Sequence, residues 1–418
     1  MQSKNLVLLW TGQLVSALGD RMYAIAIAWW ILEVTNSPTI MGLYLLSATL
    51  PMVLLGLVAG AVIDKSNLKN VLVIADVVRG VGIVLLGILF QFGSLSLFSV
   101  FAITVIVSLS SAFFNPAVTS IIPHIVSKNK LGNANSLVQL VDGVAKVAGP
   151  FAGVAVVAGV GYSGAFYLNG VSFLLSAFFE VFIRYNHKKT VWKIASDKKL
   201  KKGRVLTSDI KEGLVYVWGN EKLLHLLFYI FAAHFFVGAV SVMLPVMAKF
   251  VSNNNLNLLG ILEAVLGAGF IVGALFLSRL HSDKFKADML PKIFTILACC
   301  FIGIGSIAYF DHLSVWLFIP PVFVIGYCIV YASINWKTFI QTDTPKEKLG
   351  RVAAISSLVG DITLPVAFAL YGFLFDQLNF AFLTILSGIL LVVSVNLIGL
   401  KSRQRRALVI PVKAESGR

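Results

Sequence analysis

Asp20 and Arg21 stand side by side inside the apolar stretch VSALGDRMYAIAIAWWILEV. A carboxylate in such surroundings has one chemistry above others, the uptake and release of a proton. Arginine keeps its proton, so Arg21 reads as a fixed charge. Counted from Val7 at 1.5 Å per residue, Asp20 lies roughly 20 Å along a helix, near a bilayer midplane. Helical neighbours point about 100° apart, so the two do not pair with each other. Each needs a partner on another helix, or water, because an isolated charge there costs at least ~3 kcal/mol. A static ion pair to another helix is the alternative.

Further charges share this setting. Asp142 and Lys146 are spaced i,i+4 and share a helix face, either as a static pair or as a counter-charge that frees a carboxylate. Asp361 and Glu263 are further proton-site candidates, or contacts for a cationic substrate. For Glu263 the alternative is a side chain that reaches the outer interface. Asp76 and Arg79, at i,i+3, read mainly as structural charge partners. Glu180 is close enough to a helix end to be wet.

The elements that carry these charges follow from composition. The chain has 418 residues, 58% hydrophobic and 13% charged, whereas soluble domains average about 25% charged. About twelve runs are long enough to cross a bilayer: 7–33, 38–63, 70–92, 96–119, 134–160, 163–184, 223–249, 257–279, 289–310, 314–341, 350–376 and 379–400. Polar and apolar residues do not alternate within them, which argues against a β-barrel. The first run reads as a retained helix with no cleavage site. Cys299, Cys300 and Cys328 all fall inside runs and read as packing residues, not a disulfide or metal set.

The net charge of +15 raises nucleic acid as a partner, but its placement answers otherwise. Lys4, Lys65, Lys69, Lys128, Lys130, the Lys188–Arg204 cluster, Lys284, Lys286, Lys346, Lys348 and the 401–406 tail fall in alternate loops. This is the positive-inside pattern. It places both termini and the 185–222 connection in the cytoplasm, with the basic residues against anionic lipid. The expected organisation is a six-helix half over 1–184, a basic linker over 185–222, a second half over 223–400 and a basic tail over 401–418. KNKLGNANSL at 128–137 aligns with KEKLGRVAAI at 346–355, a shift of 218 positions that also aligns Met41-Gly42 with Leu259-Gly260. Such parallel repeats are a transporter architecture.

Four stretches carry a family resemblance: GQLVSALGDRMYAIAIAWWILEVTNSP, GAVIDKSNLKN, NPAVTSIIPHIVSKNKLGNANSL and GPFAG. The chain resembles the major facilitator superfamily, and within it the bacterial drug:proton antiporter branch that includes macrolide efflux proteins. The implied fold is all-α, with twelve transmembrane helices in two six-helix pseudo-symmetric halves. GAVIDKSNLKN is similar to the loop motif between the second and third helices. The resemblance implies a conformational latch of Gly60, Asp64, Lys65 and Lys69 against a helix starting near Gly350-Arg351. Gly149, Pro150 and Gly153 resemble a shortened fifth-helix antiporter motif, with Ala145 in place of a glycine. The arginine of the fourth helix in many relatives is missing.

Aromatic residues offer a greasy cavity: Tyr23, Trp30, Phe113, Tyr229, Phe235, Tyr327 and Tyr331 are the candidates. Such a lining suits bulky amphipathic or cationic molecules. The expectation is a secondary active exporter of lipophilic compounds coupled to protons, monomeric, without cofactor or metal. No nucleotide-binding loop is present, and no nucleophile–base set marks an enzyme. A siderophore exporter or lysophospholipid flippase would use the same fold. A non-transporting membrane sensor or assembly protein is the rival of another class.

Overall fold

The computed structural model describes residues 2–63, 66–126, 131–184, 214–252, 254–279, 289–310 and 314–408. Asp64, Lys65, Lys128, Lys130 and residues 185–213 of the basic linker lie outside them. The described residues form helices and no strand. We number them α1 (Gln2–Thr35), α2 (Pro38–Ile63), α3 (Leu68–Gln91) and α4 (Leu97–Ile125). One run, Leu131–Val181, is broken at Gly161, whose φ of 72° lies in the left-handed region that glycine adopts without strain. It divides into α5 (131–160) and α6 (162–181). Then follow α7 (Glu221–Val246, continued by the π-helical Met247–Val251), α8 (Leu256–Ser278), α9 (Leu290–Tyr309), α10 (Ile319–Asp343), α11 (Lys346–Gln377) and α12 (Phe380–Leu408).

Among the described residues, ten helical segments are long and apolar enough to cross a membrane, and Phe380–Asn396 is a shorter apolar one. With the longest divided at Gly161, these agree with the expected twelve. The fourth runs past its expected end at 119 to Ile125, through Pro116 and Pro123. Membrane helices tolerate proline because neighbouring groups satisfy the carbonyls it frees.

The repeat is visible in the coordinates with one constant register. Starts at Pro38 and Leu256 are 218 positions apart, as are residues 162 and 380. Among the described residues, the non-glycine ones at positive φ are Asn36 (48°) and Asn254 (59°), again 218 apart, each just before such a start. Asparagine visits this conformation more readily than most residues. Ser96 caps α4 and Ser314, its equivalent, caps the 3-10 turn Val315–Phe318 that leads into α10.

Packing repeats too. A Cβ on Gly170 of α6 would meet Val84 and the Gly80 carbonyl of α3, while one on Gly388 of α12 would meet Ile302 and the Ala298 carbonyl of α9. All three residues keep the 218 shift. Gly42 of α2 lies against Phe368 and Gly372 of α11, and Gly260 of α8 against Pro150 and Val154 of α5. The second set is the first carried through the same shift. Small residues at these points let backbones approach, which is how membrane helices gain contact without a hydrophobic drive.

Two compact units form. The first comprises 1–206, 235–267 and 361–377, and the second 207–234, 268–360 and 378–418. Their boundaries fall inside α7, α8 and α11. Within the first, α1 packs on α6 through Gly12 against Ser176 and Gly19 against Ser172, and on α5 through Gly149 and Gly153. The α1 start is tied to the α6 end: Asn5 Nδ2 donates to the Arg184 carbonyl at 2.9 Å, and Asn5 Oδ1 accepts from the Arg184 N–H at 3.1 Å.

Candidate functional site

The first unit gathers the membrane charges around α1. Residues 25–32 of this helix are buried, yet Asp20 and Arg21 are exposed. Gly149 of the fifth-helix motif is the reason Arg21 fits, since a Cβ there would collide with the Arg21 Cβ. Gly153 meets the backbone of Met22 at 2.9 Å by the same measure, and Pro150 is buried beside them. The motif thus presses α5 against the stretch of α1 that carries the charge pair. Arg21 acts electrostatically on Glu263 of α8, which is half-buried. Asn169 of α6 neighbours Asp20, which also feels Arg79.

Behind Asp20 lies a drier cluster between α3 and α6. Asp76 is 0% exposed, Arg79 5% and Glu180 0%. Arg79 Nη2 donates to Asp76 Oδ1. Its guanidinium sits 4.0 Å above the Phe114 ring and 4.6 Å from that of Phe173, so aromatic faces share in holding the charge. Both carboxylate oxygens of Glu180, Oδ2 of Asp76, Oγ of Ser176 and Nδ2 of Asn169 have no hydrogen-bond partner among the described residues. The helix-end position reads as wet, but Glu180 is dry. Gly80 and Gly170 bring the backbones of α3 and α6 into contact.

The remaining candidates disperse. Asp142 lies in α5, but its side chain is outside the described residues. Lys146 and Asp361 are exposed and have interactions of their own. Of the latch residues, Gly60 is half-buried with open space around its Cα, and Lys69 is half-buried at the start of α3. Gly350 and Arg351 belong to the second unit, where Arg351 lines a cavity of about 890 Å³ with Tyr216, Lys222, Asp343 and Lys348. Asp64 and Lys65 fall outside the described residues.

Among the aromatic candidates, Tyr23 and Trp30 are buried, and Tyr23 packs edge-on against Phe166 with ring centroids 5.6 Å apart. The Tyr23 hydroxyl neighbours Tyr44 and Thr104. Phe113 packs on a core of Leu9, Leu72 and Ile121. Tyr229 is buried against Phe294. Phe235 stacks near Tyr371 at 5.4 Å, and Tyr327 and Tyr331 lie 6.2 Å apart, half-buried. Sequence reasoning set Glu180 aside as wet and missed Asn169, Ser172 and Ser176. The polar i,i+3 and i,i+4 spacing of the last three, NGVSFLLS, was the available signal.

A family model described as Major Facilitator Superfamily matches residues 9–368. The uncharacterized MFS-type transporter YfiS of Bacillus subtilis is 23% identical over 97% of this chain and 96% of its own length. Macrolide efflux protein A of Streptococcus pyogenes is 19% identical over 92% of each. Multidrug efflux pump Tap of Mycolicibacterium fortuitum is 25% identical over 89% of each. Among solved structures, a bacterial homologue of the iron transporter ferroportin in an inward-facing state superposes with a TM-score of 0.70. It is 15% identical and covers 94% of this chain and 98% of its own.

Proposed function

The chain belongs to the major facilitator superfamily, and on that premise we propose that it exports lipophilic or amphipathic compounds by proton antiport through alternating access. It is a multi-pass membrane protein and a transporter of this type, with efflux proteins among its relatives. The observation that carries the finer reading is the accessible Asp20–Arg21 pair in the middle of a membrane helix. Facing lipid, such charges would each cost about 3 kcal/mol or more, so the surface they expose is taken as part of a watered path. There a carboxylate can exchange protons, while Arg21 stays charged and balances Glu263 or an anionic substrate group.

On this reading the halves 1–184 and 223–400 rock about the linker 185–222. The protein lies in a bacterial inner membrane as a monomer with both termini, including the 401–418 tail, in the cytoplasm. The α2–α11 and α5–α8 crossings close one end. The other end is the place for the Asp64, Lys65 and Lys69 latch against Gly350-Arg351. Tyr23, Phe235, Tyr327 and Tyr331 are the proposed aromatic lining.

Proteoliposomes with an imposed pH gradient test this. We expect gradient-driven uptake of a macrolide or a cationic dye by the wild type, abolished by Asp20→Asn. Movement of lysophospholipid that ignores both the gradient and the substitution would replace the reading with a flippase. Binding of the panel without any turnover would point to a sensor.

A further inference from the structure

The repeat supplies an internal control on the membrane charges. The two halves share one scaffold in a constant register, so the residue 218 positions on shows what that scaffold needs. Asp76 corresponds to Phe294, Arg79 to Leu297 and Glu180 to Ile398. Phe294 is 1% exposed and Leu297 5%, so equivalent positions are dry in both halves. The α3–α6 crossing and its α9–α12 equivalent close through matching small residues, Gly80 with Gly170 and Ala298 with Gly388. At the Asp76 and Arg79 positions the second copy therefore builds the same interface with apolar side chains, and it carries an apolar residue in sequence where the first has Glu180. The fold does not require the Asp76–Arg79 pair there.

Charge counting says what the first copy must hold. Two carboxylates, Asp76 and Glu180, meet one guanidinium, Arg79. Arg79 is already committed to Asp76 through a direct hydrogen bond. Glu180 has no partner on either oxygen among the described residues and no exposed surface. A bare carboxylate in such a place is strongly disfavoured, and it takes up a proton instead. The other charges that bear on the cluster are those of α1. Asp20 acts on Asp76 and on Arg79, and Arg21 acts on Asp20. On α6 the neighbouring Ser176 and Asn169 are neutral, and α4 contributes the Phe114 ring.

We propose that Glu180, poised beside the Asp76–Arg79 pair, is a second proton-binding site, distinct from Asp20 and closed off between α3 and α6. In the packing seen here it carries a proton as a neutral carboxylic acid. Release leaves a carboxylate that must be wetted or must compete with Asp76 for Arg79. Either loosens the α1–α3–α6 contacts. Only that last step, the use of this release to drive transport, rests on the antiport reading above. Arg79 is the positioning residue, linking the dry site to Asp20.

The test reads the proton itself. Infrared difference spectra of the purified full chain in lipid nanodiscs are recorded while pH is stepped from neutral to alkaline, in H2O and D2O. The expected result is a carboxylic-acid C=O band, shifted in D2O, that titrates away at alkaline pH. It is lost in Glu180→Gln and kept in Asp20→Asn. In Asp76→Asn the band is lost as well, because Glu180 then pairs with Arg79 as a carboxylate. Absence of the band from the wild type, or its persistence unchanged in Glu180→Gln, overturns the proposal. Glu180→Ile, which installs the residue of the second half, guards against misfolding: we expect a folded protein with wild-type elution and no band. Proteoliposome transport separates the two readings. A Glu180-dependent band without gradient-driven uptake in the wild type refutes antiport and leaves the proton site standing. Gradient-driven uptake without the band does the reverse.

Discussion

Asp376 offers the sharpest mechanical prediction. At the end of α11 its Oδ2 accepts hydroxyl hydrogen bonds from Ser37, at 2.7 Å, and Thr39, at 2.6 Å, which flank the start of α2. These bonds sit one turn beyond the Gly42–Gly372 crossing and hold the same two helices. The α5–α8 crossing lacks this device: the residue equivalent to Asp376 is Ala158, and Asn255, equivalent to Ser37, caps its own helix by accepting from the Leu258 N–H at 3.0 Å. A net hydrogen bond is worth about 0.5–1.5 kcal/mol, and these exposed ones belong at the lower end. The pair then contributes about 1–2 kcal/mol to closure, and at about 1.36 kcal/mol per decade its loss opens the crossing about 5- to 30-fold more often. Spin labels at Leu43 and Phe373, both exposed, would report the α2–α11 distance by double electron–electron resonance once Cys299, Cys300 and Cys328 are replaced. Asp376→Ala should enlarge the long-distance population by that factor. Thr39→Val should do so in part, and should add nothing in the Asp376→Ala background. An unchanged distance distribution in Asp376→Ala refutes the latch. So does a Thr39→Val effect of undiminished size after Asp376 is gone.

Gly42→Ala puts a methyl group on the Phe368 carbonyl and 2.9 Å from the Gly372 Cα, so it should cost about 1–3 kcal/mol in thermal unfolding, whereas Gly56→Ala, with open space at its Cα, should be near neutral. Arg79→Ala leaves Asp76 buried and unpaired and should cost about 3–5 kcal/mol, seen as lost yield and early elution in size-exclusion chromatography. Arg79→Lys should not restore it, because a lysine lacks the planar group held between Phe114 and Phe173. Lys222→Ala removes a pair 3.9 Å from Asp343 on a side chain that is 67% exposed, and should shift stability by less than about 1 kcal/mol.

What the sequence yields readily is what depends on averages over many residues. Membrane helices announce themselves by length and hydropathy, and the starts of α2, α8 and α12 fall within a residue of their expected places. The repeat is legible because KLGN and KLGR survive in both copies, and the coordinates extend that one register to loops, caps and helix crossings. The ends of α1 and α4 are less legible, since polar first turns and prolines are read as stops while tertiary contacts carry the helix through them. The candidate site divides in the same way. The Asp20–Arg21 pair stands out because Ala17-Leu18-Gly19 before it and Met22-Tyr23-Ala24 after it carry no charge. Glu180 does not, because depth along a helix is a poor guide to dryness: whether a carboxylate meets water depends on how closely the neighbouring helix approaches. Here the approach of α3 to α6 runs through Gly80 and Gly170, the first a hundred residues from Glu180 and the second ten. Yet a usable signal was present. Carrying the 218 shift through Asp76 and Arg79 lands on Phe294 and Leu297, both buried, and a scaffold that buries an apolar residue at a position in one copy treats that position as interior in the other. In a duplicated membrane protein the second half thus predicts which charges of the first are dry, and a charge at a dry position that its twin does without is retained for something other than the fold.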